Sequence, residues 1–133
     1  METRHHTDGG GFEEAVGYSR AVRRGGRIEV SGTTVPGSGA CDGDETKRQT
    51  LDALSRAVAA VEALGGERAD VVRTRLLLAP GAVWEAAGGA HRETLGDVAP
   101  ANTTLYVAGL IGEGVLVEVE VEAEAAGHAG GAG

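Results

Sequence analysis

Apolar and acidic positions alternate along residues 115–123. Val115, Val117, Val119 and Val121 interleave with Leu116, Glu118, Glu120 and Glu122. A period of two marks a β-strand with two chemically different faces, and the valine face belongs under a core. Residues 70–79 repeat the pattern with the opposite charge. Val72, Thr74, Leu76 and Leu78 share one side, and Arg73, Arg75 and Leu77 share the other. Between residues 45 and 64 the period changes, with Leu51, Leu54, Val58, Val61 and Leu64 recurring every three or four residues. That spacing predicts a helix, ended by Gly65-Gly66, whose apolar stripe is widened by Ala53, Ala57 and Ala60. A second helix is predicted over residues 82–95, weakened by Gly88 and Gly89. Extended runs at 18–22 and 27–31 flank Gly25-Gly26 and read as a hairpin. Residues 103–108 predict a further strand, with Pro100, Ala101 and Asn102 in the loop before it.

The predicted order is strand, strand, helix, strand, helix, strand, strand. It implies an α+β domain with two helices packed on one face of a mixed sheet. The second face carries Arg73 and Arg75 opposite Glu118, Glu120 and Glu122, so cross-strand ion pairs are expected there. Leu77 and Leu116 fall on the same face. With no third helix predicted to cover them, a homo-oligomer with this face turned inward is expected. Residues 1–11 and 126–133 are polar or glycine-rich and are expected to be flexible tails around a domain at 12–125. His5, His6 and His128 fall in those tails.

Composition narrows the function classes. The chain has 133 residues, the size of one domain, and a net charge of −8 from 20 acidic and 12 basic residues. That field repels nucleic acid, and aromatic residues at 3% leave few stacking platforms. Cys41 is the single cysteine, so no internal disulfide can form. No apolar run is long enough to cross a bilayer, and METRHHTDGGGF lacks the apolar stretch of a signal peptide. A cytoplasmic protein with no membrane or nucleic-acid partner is expected.

Residues 32–44 form a glycine-rich loop after a strand. It fits neither a dinucleotide fingerprint nor a phosphate loop, and it reads as the border of a cleft. Asp42, Asp44 and Glu45 are better explained as acidic helix-entry residues than as a calcium-loop fragment. No cluster has zinc spacing, and no metal or cofactor is expected. Cys41 reads as an ordinary loop thiol. Ser31 sits outside any nucleophile-elbow frame and suits backbone hydrogen bonding. His91 suits a half-exposed packing role on the second helix. Trp84, at that helix's start, suits a core or interface anchor.

Several segments, in order, resemble the RidA/YjgF (Rid) family. They are GYSRAV (17–22), RIEVSG (27–32), QTLDALSRAVAAVEALGG (49–66) with DVVRTRLLLA (70–79), and PANTTLYVAGL (100–110) followed by VLVEVEVEA (115–123). The match spans about residues 12–125, and VWEAAGGAHRETLGDVAPANTTL is similar to a branch in which the family's arginine is absent. The resemblance implies a chorismate-mutase-like fold and a homotrimer with a small-molecule cleft between each pair of subunits. In arginine-bearing members that cleft hydrolyses enamines and imines, with the arginine gripping the substrate carboxylate and a glutamate positioning water. By position, Tyr18 matches the family tyrosine, Gly32 the glycine after the serine at Ser31, and Glu118 the glutamate. Thr104 stands where a cysteine is common, Gly88 where an asparagine is common, and His91 in place of a helix aromatic. Asn102 stands in the arginine's place.

That exchange sets the expected chemistry. Arginine offers five donors and a permanent charge; asparagine offers two neutral donors and an acceptor. The usual anionic 2-imino acid is therefore disfavoured unless Arg73 or Arg75 replaces the lost charge. The expected reaction is hydrolysis, tautomerisation or elimination at a neutral C=N or C=O centre. Glu118 would be general base and Tyr18 or His91 the proton donor. Asn102, Gly32, Thr104, Ser31 and Trp84 would position the ligand. The alternatives are a non-catalytic trimeric metabolite binder or protective protein, and an enamine/imine deaminase with a substitute arginine. A ribonuclease activity fits the acidic charge balance worst.

Overall fold

The computed structural model describes residues 2–125. Strands β1 (Thr3–His6), β2 (Ala21–Arg24), β3 (Arg27–Thr33), β4 (Val71–Leu78), β5 (Ala101–Tyr106) and β6 (Val117–Glu124) form one sheet. Helices α1 (Gly11–Val16), α2 (Gly43–Ala63) and α3 (Trp84–Leu95) complete the element set, with a short 3₁₀ turn at Arg68–Asp70. The sheet order is β1-β2-β3-β6-β4-β5. Among the described residues only the β4–β5 pair is parallel, and α3 supplies the crossover that a parallel pair requires.

The core lies between the sheet and the pair α2 and α3. Val117, Val119 and Val121 of β6 are fully buried with Ile28 of β3, Leu76 and Leu78 of β4, and Leu54 and Val61 of α2. Each such side chain stabilises the fold by about 1.5–3 kcal/mol. Small residues, Ala53 and Ala57 on α2 with Ala87 and Ala90 on α3, are also fully buried and let the helices approach closely. Asp42 caps α2 by accepting from the Glu45 N–H at 2.9 Å, the helix-entry role its sequence position implied. At the other end Arg23 and Arg4 both donate to the Leu64 carbonyl, at 2.7 and 2.9 Å.

Five features depart from the sequence reading. Thr3–His6, placed in an N-terminal tail, is an edge strand paired antiparallel to β2. Backbone pairing and the Arg4–Leu64 bond hold it, and neither needs an apolar pattern. A third helix exists: α1 has six residues, too few for a periodic signal. Glu13 starts it by accepting from the Gly10 N–H at 2.8 Å, and Gly17 ends it at φ 88°. Val72 leaves the core face because a β-bulge between Val71 and Arg73 buries Val71 instead. Leu116 is buried rather than open, since it precedes β6 and its N–H donates to Gln49 Oε1 at 2.8 Å. Asn102 lies inside β5, not in the loop before it. Residues 126–133, expected as a C-terminal tail, lie outside the described residues.

Candidate functional site

A second β-bulge shapes the first candidate site. Val30 pairs with Val121 and Thr33 with Val119, so Ser31 and Gly32 together stand opposite one residue of β6. The bulge leaves the carbonyls of Ser31 and Gly32 turned out of the ladder. Arg20 takes both, donating from Nη1 at 3.3 and 2.6 Å, and also reaches Thr33 Oγ1 at 3.1 Å. Its Nη2 donates to the Tyr18 hydroxyl at 3.1 Å, and its guanidinium lies 5.5 Å from the centre of the Tyr18 ring. The Arg20 side chain is only 5% exposed, and among the described residues its Nε has no hydrogen-bond partner, the nearest carboxylate oxygen being Asp8 Oδ1 at 3.9 Å.

Glu118 completes this cluster. It points away from the buried valines of β6, onto the open face of the sheet. Its carboxylate lies against the bulge so closely that a Cβ at Gly32 would collide with Oε2. Burial raises the pKa of Glu118, the negative charge of Glu120 raises it further, and Arg20 pulls it back. Tyr18, Arg20, Ser31, Gly32 and Glu118 line a cavity of about 740 Å³, which Phe12 and Val16 of α1 and Ile111 border with exposed apolar side chains. Arg56 shares the rim and is held by Asp8 at 2.7 Å.

The second site lies at the far edge of the sheet, between β5 and α3. Asn102 Nδ2 donates to Thr74 Oγ1 at 3.0 Å, and Thr104 Oγ1 donates to Asn102 Oδ1 at 2.9 Å. Thr74 Oγ1 also lies 2.7 Å from His91 Nε2. Thr74 is fully buried on the helix side of β4, and burial lowers the pKa of His91, favouring neutral imidazole. Trp84, Gly88, Asn102, Thr104 and Tyr106 line a cavity of about 510 Å³. Trp84 is 54% exposed and lines this opening rather than the core.

The sequence-derived residues thus fall into two groups. Tyr18, Ser31, Gly32 and Glu118 come together on the open side, and Trp84, His91, Asn102 and Thr104 come together on the helix side. Within one chain Asn102 and Glu118 project from opposite faces of the same sheet. Both cavities fall in the range that takes a small molecule. Arg20 and Thr74, which organise the two groups, were not singled out from sequence. Arg20 was legible only as a basic residue within the extended run expected at 18–22, and its three acceptors arise from a bulge that no local pattern marks. Arg75 pairs with Glu120 and Glu122 at 3.4 and 2.9 Å, as the cross-strand reading implied. Arg73 donates to Thr103 Oγ1 at 2.6 Å. Both arginines occupy the open face, away from Asn102. Cys41 is exposed, beside Gly81.

These features define a two-layer α+β protein in which a mixed sheet, bulged at its third strand, carries flanking helices. The chain belongs to the YjgF/RidA/endoribonuclease L-PSP family: the family model described as Endoribonuclease L-PSP matches residues 11–125. It is 40% identical over 116 residues to the uncharacterized protein SCO2049 of Streptomyces coelicolor, covering 86% of this chain and 87% of that one. The crystal structure of Rv2704 from Mycobacterium tuberculosis, a member of the YjgF/YER057c/UK114 family, is similar with a TM-score of 0.83 and 41% identity. That match covers 92% of this chain and 99% of Rv2704. NMB1025 of Neisseria meningitidis, a YjgF-family protein, shares the fold with a TM-score of 0.73 at 21% identity, over 94% of this chain and 96% of that one. Among the described residues no helix is long and apolar enough to cross a membrane.

Proposed function

We propose that the protein is a small-molecule enzyme acting at a neutral C=N or C=O centre, in clefts that two subunits of a homotrimer build together. Family membership supports a role on small molecules. One observation carries the finer reading: the Glu118 and Asn102 groups lie on opposite faces of one sheet, so a single chain cannot present both to one ligand. A neighbouring copy supplies the missing half. Tyr106 at 50% exposure, Leu105 at 43% and Trp84 beside the Asn102 cavity are apolar surface suited to that contact, as are Phe12 and Ile111 beside the other cavity.

In this reading Glu118 takes a proton from water, and the water oxygen bonds to the C=N or C=O carbon. Partial burial keeps the carboxylate basic enough to do so. For an imine the nitrogen then takes one proton from Tyr18 and a second from the Glu118 carboxyl, the C–N bond breaks, and the O–H proton of the addition product returns to Tyr18, so that imine and water become carbonyl and ammonia. Asn102 and Thr104 orient the ligand, and the uncharged amide at 102 favours a neutral one. A hydrogen bond to a charged group contributes about 1.5–3 kcal/mol, against about 0.5–1.5 for a neutral pair, so loss of a guanidinium here is a large change.

Arg20 favours a second reading, in which a carboxylate-bearing enamine is the substrate after all. Its buried Nε lacks a partner among the described residues and lies in the same cavity as Glu118. Asp8, 3.9 Å from that Nε, and Glu118 place negative charge beside it, so the neutral ligand remains preferred.

Hydrolysis of 2-aminoacrylate by the wild type, Asn102→Arg and Arg20→Gln separates these readings. The expected result is little turnover in the wild type and a gain in Asn102→Arg. Strong wild-type turnover that Arg20→Gln abolishes would establish the second reading instead. A panel of neutral imines and lactones tests the catalytic role, since any activity found there should vanish in Glu118→Gln. A cleft that binds members of the panel without turnover would identify a metabolite binder. Sedimentation should give three copies per particle at micromolar concentration, and a monomer would defeat the shared-cleft proposal.

A further inference from the structure

The hydrogen bonds at Asn102 have a direction, and the direction says what the amide can read. Thr74 is fully buried, and its hydroxyl has one proton to give. Asn102 Nδ2 donates to Thr74 Oγ1, so that oxygen is already an acceptor there. Among the described residues its buried proton has no acceptor other than its second neighbour, His91 Nε2, at 2.7 Å. Nε2 is therefore an acceptor, and the ring proton sits on Nδ1. The chain runs one way: Thr104 hydroxyl to Asn102 Oδ1, Asn102 Nδ2 to Thr74, Thr74 to His91. Burial of the ring favours the neutral state that this direction needs.

We infer that His91 and Thr74 are positioning residues that lock the polarity of the Asn102 side chain, and that the locked amide selects a carboxamide or lactam over a carboxylate. Two donors and two acceptor lone pairs make up a side-chain amide. Thr74 and Thr104 occupy one of each, which leaves one N–H and one carbonyl lone pair for a ligand. Asn102 is exposed on the edge strand, lining the cavity with Trp84, Gly88 and Tyr106, so both are within a ligand's reach. A carboxamide or lactam matches them with its own carbonyl and N–H. A carboxylate has no proton to give and meets the spare lone pair of Oδ1 with repulsion. Free rotation of the amide would erase this choice, because either end could then face the ligand. The buried Thr74–His91 pair removes that freedom.

The inference rests on the reading that the cavity at Asn102 holds the ligand, but its central claim is testable without one. Proton–nitrogen correlation spectra of the imidazoles give the tautomer of His91, assigned by comparison with His91→Gln. The expected wild-type state is neutral with the proton on Nδ1. In Asn102→Asp the carboxylate can only accept, so Thr74 must turn its proton toward it. Thr74 Oγ1 then accepts from His91, and Nε2 gains a proton. A wild-type ring protonated on Nε2, or no change in Asn102→Asp, would overturn the relay. Propionamide and propionate serve as matched probes, followed by shifts of the Asn102 side-chain resonances. The amide should bind at least about tenfold more tightly, a difference of about 1.4 kcal/mol. That preference should disappear in Thr74→Val and persist in Glu118→Gln. Equal binding of the two probes, or binding of neither, would overturn the ligand class even with the tautomers as described. Loss of catalysis in Glu118→Gln with the preference intact keeps this inference separate from the reaction proposed above.

Discussion

The two cavities differ in how their polar groups are held. On the open side of the sheet the arrangement is ionic: one buried guanidinium, a carboxylate with a raised pKa, and two further carboxylates, Asp8 and Glu13, close by. On the helix side it is neutral: an amide, two hydroxyls and an imidazole in a directed chain. The ionic cluster stands on a β-bulge and depends on carbonyls that the bulge has released. The neutral chain stands on regular parallel pairing, with Thr74 opposite Asn102 and Leu76 opposite Thr104. A site built on irregular backbone must be braced by side chains. A site built on a regular ladder has its spacing set by the ladder.

That contrast ranks the consequences of substitution. The largest effect is expected at Arg20. In Arg20→Met three oxygens, of Ser31, Gly32 and Thr33, lose a charged donor in a buried setting. Chemical denaturation should show a loss of about 3 kcal/mol, and the bulge should loosen with it. A loss below about 1 kcal/mol would mean that the bulge is self-supporting. The next effect separates geometry from stability. Gly32→Ala places a methyl group where Glu118 Oε2 lies. The colliding atom is the end of a flexible side chain, and the Gly32 φ is not in the left-handed region, so the fold should lose less than about 1 kcal/mol. The carboxylate is displaced all the same, and displacement of a reacting group by about 1 Å costs on the order of 100-fold in rate. Unchanged turnover in Gly32→Ala would remove Glu118 from the reaction.

Both halves of the molecule were partly legible from sequence, and in each the regular backbone was more legible than the irregular. The period-two runs at 71–78 and 117–124 and the helix over 43–63 follow from local side-chain chemistry, and the structure keeps them within two or three residues. The expected Arg75 pairing with Glu120 and Glu122 follows from alternation alone. Asn102, Thr104 and His91 were reached through the family resemblance, as were Tyr18, Gly32 and Glu118, and Trp84 as an aromatic at a helix start. Arg20 was reached by neither route. Its partners lie 11 to 13 residues away, across a bulge whose existence depends on how β3 and β6 pair. Thr74 was read as one more inward position on a strand, and what makes it a hub is the imidazole from α3 above it. The edge strand β1 and the short helix α1 escaped detection because backbone pairing and a glycine-bracketed turn hold them.

A smaller effect is expected from Glu118 itself. Its carboxyl has a higher pKa in the fold than in the unfolded chain, so the folded state holds a proton that the unfolded state releases. The group therefore favours folding below the ordinary glutamate range, and that benefit is lost as the pH rises through the folded pKa. At neutral pH the buried charge is a burden. Glu118→Gln should raise the melting temperature at pH 7 while abolishing activity, and the gain should vanish in acid. An equal or lower melting temperature at neutral pH would show that Arg20 and the bulge compensate the charge in full.

The smallest effect belongs to the neutral half and has the opposite sign with pH. Burial depresses the pKa of His91 below the ordinary imidazole value of 6.5. Here the unfolded chain binds the proton more readily than the fold, so the stabilisation is complete above the unfolded pKa. It is lost as the pH falls through the folded pKa. Protonation also places a hydrogen on Nε2, where Thr74 already directs its own. The wild type should therefore lose stability between about pH 7 and pH 5 relative to His91→Gln, which cannot titrate. If the two stability profiles run parallel, the imidazole titrates as it would in water and the chain from Thr104 to His91 does not depend on its charge. If they diverge in the expected direction, the side of the sheet with no permanent charge is the one that acid disrupts first.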